Sequence, residues 1–139
     1  MEESIFDICE KSSHLELVMW AQDCAYHVLS YFEKENPNDL RPRDSIETIT
    51  RWIKGELSVG EVRKYAFSAH AAARDTLNEK AMFAARAAGH AAATVHVKTH
   101  AIHASHYAIK IFSFSEIEAK KEYLWQYKRL IEIKKRTIK

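Results

Sequence analysis

Residues 81–97 read Ala-Met-Phe-Ala-Ala-Arg-Ala-Ala-Gly-His-Ala-Ala-Ala-Thr-Val-His-Val. Most positions are strong helix formers, and the apolar side chains fall on every side of the helix they would make. A surface helix keeps one polar face, whereas a helix that is apolar all round is buried. Only Arg86, His90, Thr94 and His96 interrupt the small apolar residues. The stretch therefore predicts a buried central helix with other helices packed around it.

The rest of the chain agrees with that reading. Its 139 residues suit one domain with one core, and 47% hydrophobic with 29% charged residues is ordinary for a globular protein. With three glycines and two prolines, helices are favoured over a turn-rich β fold. The expected fold is all-α, a compact bundle of five to six helices formed by residues 1–139 as a single helical domain. Cys9 and Cys24 make no zinc or redox spacing, and no signal peptide is visible. Both are therefore expected as reduced thiols in a cytoplasmic protein. No uncharged apolar run reaches the length of a membrane span.

Charge is unevenly distributed. Residues 1–40 carry −7, residues 41–112 carry +5 and residues 113–139 carry +4. Such segregation arises when oppositely charged helices are neighbours, and it also arises at a polar partner surface.

Working outward, Ser13-x-x-Glu16 is a capping box that starts a helix. Leu17, Trp20, Ala21, Cys24, Val28, Tyr31 and Phe32 form its stripe, ending near Glu35 before Asn36-Pro37-Asn38-Asp39. Ile5, Phe6 and Ile8 in the acidic lead can tuck onto the bundle. Pro42 and Asp44 suit the opening turn of a second helix, which buries Ile46, Ile49, Trp52 and Ile53 and stops at Gly55. Ser58-x-x-Glu61 opens a third, with Val62, Ala66, Ala69, Ala73 and Leu77 on its stripe and His70 inside it. Asn78 caps the helix that contains the opening stretch. The β-branched residues of Val95–Thr99 predict a break near 97–99, with Thr99 as a cap and a further helix to about Ile111. Ser115-x-x-Glu118 begins the last helix, with Ile117, Leu124, Tyr127 and Ile131 on its stripe.

Sixteen alanines lie from Ala66 to Ala108, and His70-Ala-Ala-Ala echoes His90-Ala-Ala-Ala about the expected turn at 78–80. In an antiparallel hairpin, positions equidistant from the turn lie level, so His70 and His90 are expected side by side. The apolar surroundings favour a satisfied, neutral core pair, hydrogen-bonded to Thr94, Tyr65 or each other. A functional pair is the alternative. His96, His100 and His103 would share a face of a continuous helix and are the candidate ligands of any metal. Yet no acidic residue occurs between Glu79 and Glu116, so the sequence specifies no metal and no cofactor. Arg86 is placed to pair with Asp75 across the hairpin, and Arg74 follows His70 by one turn. Arg41 and Arg43 can bind phosphate or carboxylate. Arg43 opposes the helix dipole, so it needs an acidic partner within the chain or outside it. No catalytic nucleophile motif or phosphate loop is present, and the acidic first 40 residues argue against a nucleic-acid face.

The order Arg41-Pro42-Arg43, Trp52-x-x-Gly55-Glu56, Ala69-His70-Ala-Ala-Ala-Arg74, Ala85-Arg86-Ala-Ala-Gly89-His90-Ala, His96, His100-Ala101 and Tyr107-Ala108 resembles the all-helical immunity proteins of bacterial polymorphic toxin systems. The resemblance spans about residues 40–110. Ile102-His103 and Val95–Thr99 depart from it. It implies a cytoplasmic protein that binds a cognate toxin and blocks it without catalysis. It identifies neither the toxin nor a role for each shared residue.

A second expectation, from the residues alone, is a metal- or small-molecule-dependent helical-bundle enzyme using His70, His90, His96 and His100. A third is a homo-oligomer formed through an apolar flank.

Overall fold

The structure is a computed structural model that describes residues 3–137. Those residues carry eight helical segments and no strand. They are α1 (Ile5–Glu10), α2 (His14–Val28), α3 (Ser30–Glu33), α4 (Arg41–Ile53), α5 (Val59–Asp75), α6 (Glu79–Ala93), α7 (His100–Lys110) and α8 (Glu116–Thr137). Six of them have eleven residues or more, and α1 and α3 are the short additions to the expected five to six helices. Short α1 is started by a capping box of Ser4 and Asp7, inside the stretch read as a lead. The helix expected to run to Glu35 divides at Leu29. There the backbone stays right-handed (φ −56°, ψ −33°) while the Leu29 amide donates to Tyr26 instead of the residue four back. The interruption is thus one of hydrogen bonding and not of direction.

Helix α6 is the centre. It packs against α2, α3, α4, α5 and α7. Its buried residues are seven alanines and Gly89. Such small residues let surrounding helices approach near the lower end of the usual 8–10 Å axis separation. The Ser45 hydroxyl donates to the Ala88 carbonyl at 3.3 Å, which marks how directly α4 lies on it. Large side chains come from the neighbours, with Trp20, Phe32, Ile46 and Ile49 all fully buried.

The opening stretch does not stay helical to Val97. Helix α6 ends at Ala93, and 94–99 form turns. Thr94 donates its hydroxyl back to the His90 carbonyl at 2.9 Å, and His14 Nε2 meets the Thr94 carbonyl at 2.7 Å. These contacts occupy carbonyls that the ending helix exposes. Thr99 precedes α7 but makes no side-chain cap, contrary to expectation.

Four stripe residues are corrected. Ile53, Leu77, Ile117 and Leu124 are exposed. Leu77 lies beyond the end of α5, because Thr76 is already extended (φ −90°, ψ 146°). Helix α8 turns Glu122, Gln126, Leu130 and Ile133 inward instead of Ile117 and Leu124. A polar network explains that choice. The Trp20 indole donates to the Gln126 carbonyl at 2.9 Å, and the Ser105 hydroxyl donates to the Gln126 side chain. The Gln126 amide in turn donates to the Ser105 carbonyl at 3.2 Å and to Glu122 at 3.1 Å. Buried polar groups must be satisfied, and here one glutamine satisfies groups on α2, α7 and α8.

Several acidic side chains of the first 40 residues meet cations on neighbouring helices, as Asp23–Arg129 at 2.7 Å and Glu33–Arg43 at 2.6 Å illustrate. Cys9 and Cys24 are free and buried. Burial pushes the Cys9 thiol up to about 12 and Cys24 well above its usual value, so neither is poised as a thiolate. Among the described residues no helix is long and apolar enough to cross a membrane.

The central packing gives a direct prediction. Leu matches Ala closely in helix propensity, so Ala88→Leu tests space alone. It should destabilise the fold by about 1–3 kcal/mol through overpacking against α4, read as a lower urea midpoint.

Candidate functional site

The site is built by the hairpin of α5 and α6 with α7 laid beside it. His70 and His90 do lie level, with ring centroids 4.8 Å apart and planes at 76°. The contact depends on Gly89. A Cβ at that position would stand 2.6 Å from His70 Nε2, closer than any packed carbon tolerates. His70 therefore rests directly on the α6 backbone. One turn back, Arg86 Nη1 lies 2.8 Å from His70 Nδ1. A guanidinium can only donate, so Nδ1 accepts, and the neutral ring carries its proton on Nε2.

His90 joins the three helices. Its Nδ1 is 3.0 Å from His100 Nδ1, so one of the two donates and the other accepts. His103 lies 5.1 Å from the His90 ring, and Tyr107 stacks on it at 5.4 Å and 10°. Lys110 Nζ closes the row, 4.9 Å from the Tyr107 ring and 5.7 Å from Phe83. The cluster opens to solvent: His103 is exposed, while His70, His90 and His100 are half-buried.

Its electrostatics favour uncharged rings. Burial pushes His70 down to about 4, helped by Arg86 and Arg74. Burial also pushes His90 down to about 3, with His70, His100 and His103 adding to the effect. His100 is lowered by burial and then by His103 and His96. Among the described residues no carboxylate forms an ion pair with any of these imidazoles.

Other sequence-derived candidates go elsewhere. His96 sits in the turn after α6, exposed. The face expected for His96, His100 and His103 is divided, because the helix breaks between His96 and His100 while His100 and His103 stay together on α7. Among the described residues no three His, Cys, Asp or Glu side chains converge as a metal ion requires. Arg86 does not pair with Asp75, since His70 occupies it. Asp75 instead receives Arg41 Nη2 at 3.0 Å. Arg41 also grips Asp39 through Nε at 2.9 Å and Nη2 at 2.7 Å. Arg43 forks onto Glu33 with both contacts at 2.6 Å, which supplies its acidic partner within the chain. These two arginines fasten the α3–α4 connection and stand outside the imidazole row. Arg74 is exposed on the last turn of α5. The His90 ring bonds neither Thr94 nor Tyr65; Thr94 takes only its backbone carbonyl.

One arrangement carried no sequence signal. His27 Nδ1 meets the buried Glu122 at 2.8 Å, and its ring stacks on Trp125 at 3.6 Å. The partners are far apart in sequence and obey no local spacing. Among the described residues no hydroxyl or thiol hydrogen-bonds His27, so the pair ties α2 to α8.

A family model described as Imm-5 like putative immunity protein matches residues 7–133. The chain belongs to this family. Neither the curated proteins nor the solved structures give a match. The family match runs from α1 almost to the end of α8, and so takes in the bundle beyond the motifs between 40 and 110.

Two predictions test the site of this Imm-5 like chain. In a helix, Gly→Ala ordinarily stabilises by about 1 kcal/mol. Here Gly89→Ala should instead destabilise by about 1–3 kcal/mol, because His70 is held between Arg86 and His90. In a His70→Ala background the same change should become stabilising. Urea unfolding of the four proteins measures that reversal.

The second concerns acid. In the unfolded chain these imidazoles protonate near their ordinary 6.5, whereas folded His70 and His90 stay neutral to about 4 and about 3. Between these values the unfolded state binds more protons, so stability falls as pH falls. The urea midpoint should be flat above about pH 6.5 and decline toward pH 5. A flat profile from about pH 8 to 5 contradicts the neutral cluster.

Proposed function

We propose that this Imm-5 like chain binds a toxin encoded beside its own gene and blocks it stoichiometrically, in the cytoplasm of a bacterium. The observation that carries the reading is the family match over residues 7–133. The geometry supports it in a second way. A solvent-open imidazole row in which burial holds His70 and His90 neutral, and in which no carboxylate among the described residues pairs with a ring, suits contact with a partner better than acid–base turnover. The histidine-dependent enzyme reading draws on the same row. It is weakened because His96 stands apart in the turn after α6, and no three His, Cys, Asp or Glu side chains converge on a metal position among the described residues.

Co-expression with the adjoining toxin gene tests the proposal. Growth should be restored, and the two proteins should co-purify as a complex. Protection should also require at least one copy of this chain per toxin. Failure to bind and failure to protect would overturn it. Protection at far below equimolar dose would point to turnover instead.

A further inference from the structure

Cations are treated differently in two parts of the molecule. Between Arg63 and Lys110 lie seven lysines and arginines, and none has a carboxylate within 4.0 Å among the described residues. Elsewhere the described residues include thirteen, of which seven are paired with carboxylates. Only Asp75 and Glu79 are acidic between Arg63 and Lys110, and Asp75 is held by Arg41. Without carboxylates, three of the seven lie over aromatic rings, Lys110 among them. Arg63 lies over Phe67 at 5.7 Å, and Lys80 over Phe114 at 4.4 Å. Both phenylalanines are exposed, at 61% and 68%.

This arrangement has the anatomy of an interface without its partner. Aromatic and arginine side chains are enriched in binding hot spots, and exposed rings flanked by cations suit an acidic counterpart that would desolvate them on docking. We propose that the α5–α6–α7 face, centred on His90, docks a carboxylate-rich protein surface, namely that of the toxin. The assignment of that surface to the toxin rests on the immunity reading above.

Charge complementarity identifies the occupant. Cations without carboxylate partners stand beside the imidazole row, Arg86 against His70 and Lys110 over Tyr107, and the exposed His103 has a ring N–H to offer a carboxylate. A nucleic acid fits less well. Its phosphates require a continuous basic track, while this protein is only +2 overall and carries −7 in residues 1–40.

The test uses two triple variants. Arg74→Glu, Lys80→Glu and Lys110→Glu together reverse exposed cations of the proposed face. Lys54→Glu, Lys120→Glu and Lys128→Glu reverse exposed, unpaired cations elsewhere. Thermal melts first establish that both triple variants fold. Calorimetric titration against the toxin encoded by the adjoining gene should show the face variant weakened at least about 100-fold and the control within about twofold. Binding by the native chain should weaken between about 50 and about 300 mM NaCl. Equal binding by both variants would overturn the docking face and leave the immunity reading intact.

If the native chain ignores that toxin, the immunity reading fails, and a second measurement judges the face alone. NMR titration with a glutamate-rich peptide should shift backbone signals of α5–α7 and spare those around Lys135 and Arg136. Shifts elsewhere, or tighter binding of a DNA duplex at this face, would overturn it.

Discussion

The close seating of helices on α6 is the constraint on which the rest of the molecule depends. A helix whose buried side chains are methyl groups and one hydrogen contributes little apolar area of its own. Its contribution is proximity. Five neighbours reach its backbone, and their own Trp20, Phe32, Ile46 and Ile49 fill the space beyond. Dense packing of this kind gains dispersion energy at many small contacts and leaves no room for larger residues.

The imidazole row follows from the same constraint. Because Gly89 presents no Cβ, the His70 ring lies against α6, where Arg86 and His90 can reach it from one side of the helix. The helix break after Ala93 then brings α7 alongside, so His100 meets His90 across a turn. Three helices thus share one row of imidazoles, in which burial, helped by Arg86, holds His70 and His90 neutral. The acidic N-terminal region takes several of its partners from α4 and α8, and the cations of α5–α7 are without carboxylates among the described residues. A structural need at the centre and an unmatched charge at one face are therefore linked through the same helix.

Much of this was legible in the sequence where local rules act. The capping boxes at Ser13 and Ser58, the Asn78 cap and the stop at Gly55 appear as read. The level placement of His70 and His90 followed from the hairpin alone. What escaped was decided by tertiary contact. Half of the α8 stripe was misread, with Tyr127 and Ile131 packing on the core but Ile117 and Leu124 exposed, because Glu122 and Gln126 look like surface residues until Trp20 and Ser105 are placed beside them. Arg86 was assigned to Asp75 by charge, whereas its geometry favoured an imidazole. The tie between Arg41 and Asp75 spans 34 residues and obeys no periodicity. Gly89 was visible as a residue, but its role required knowing which ring lies on it.

The protonation state of His70 tests the account most directly. Long-range nitrogen–proton NMR at neutral pH distinguishes the two neutral tautomers from the imidazolium. Seating on Gly89 with Arg86 donating predicts a neutral ring, protonated at Nε2 and bare at Nδ1. An Nδ1-protonated tautomer, or a charged ring, would contradict the arrangement on which the imidazole row is built.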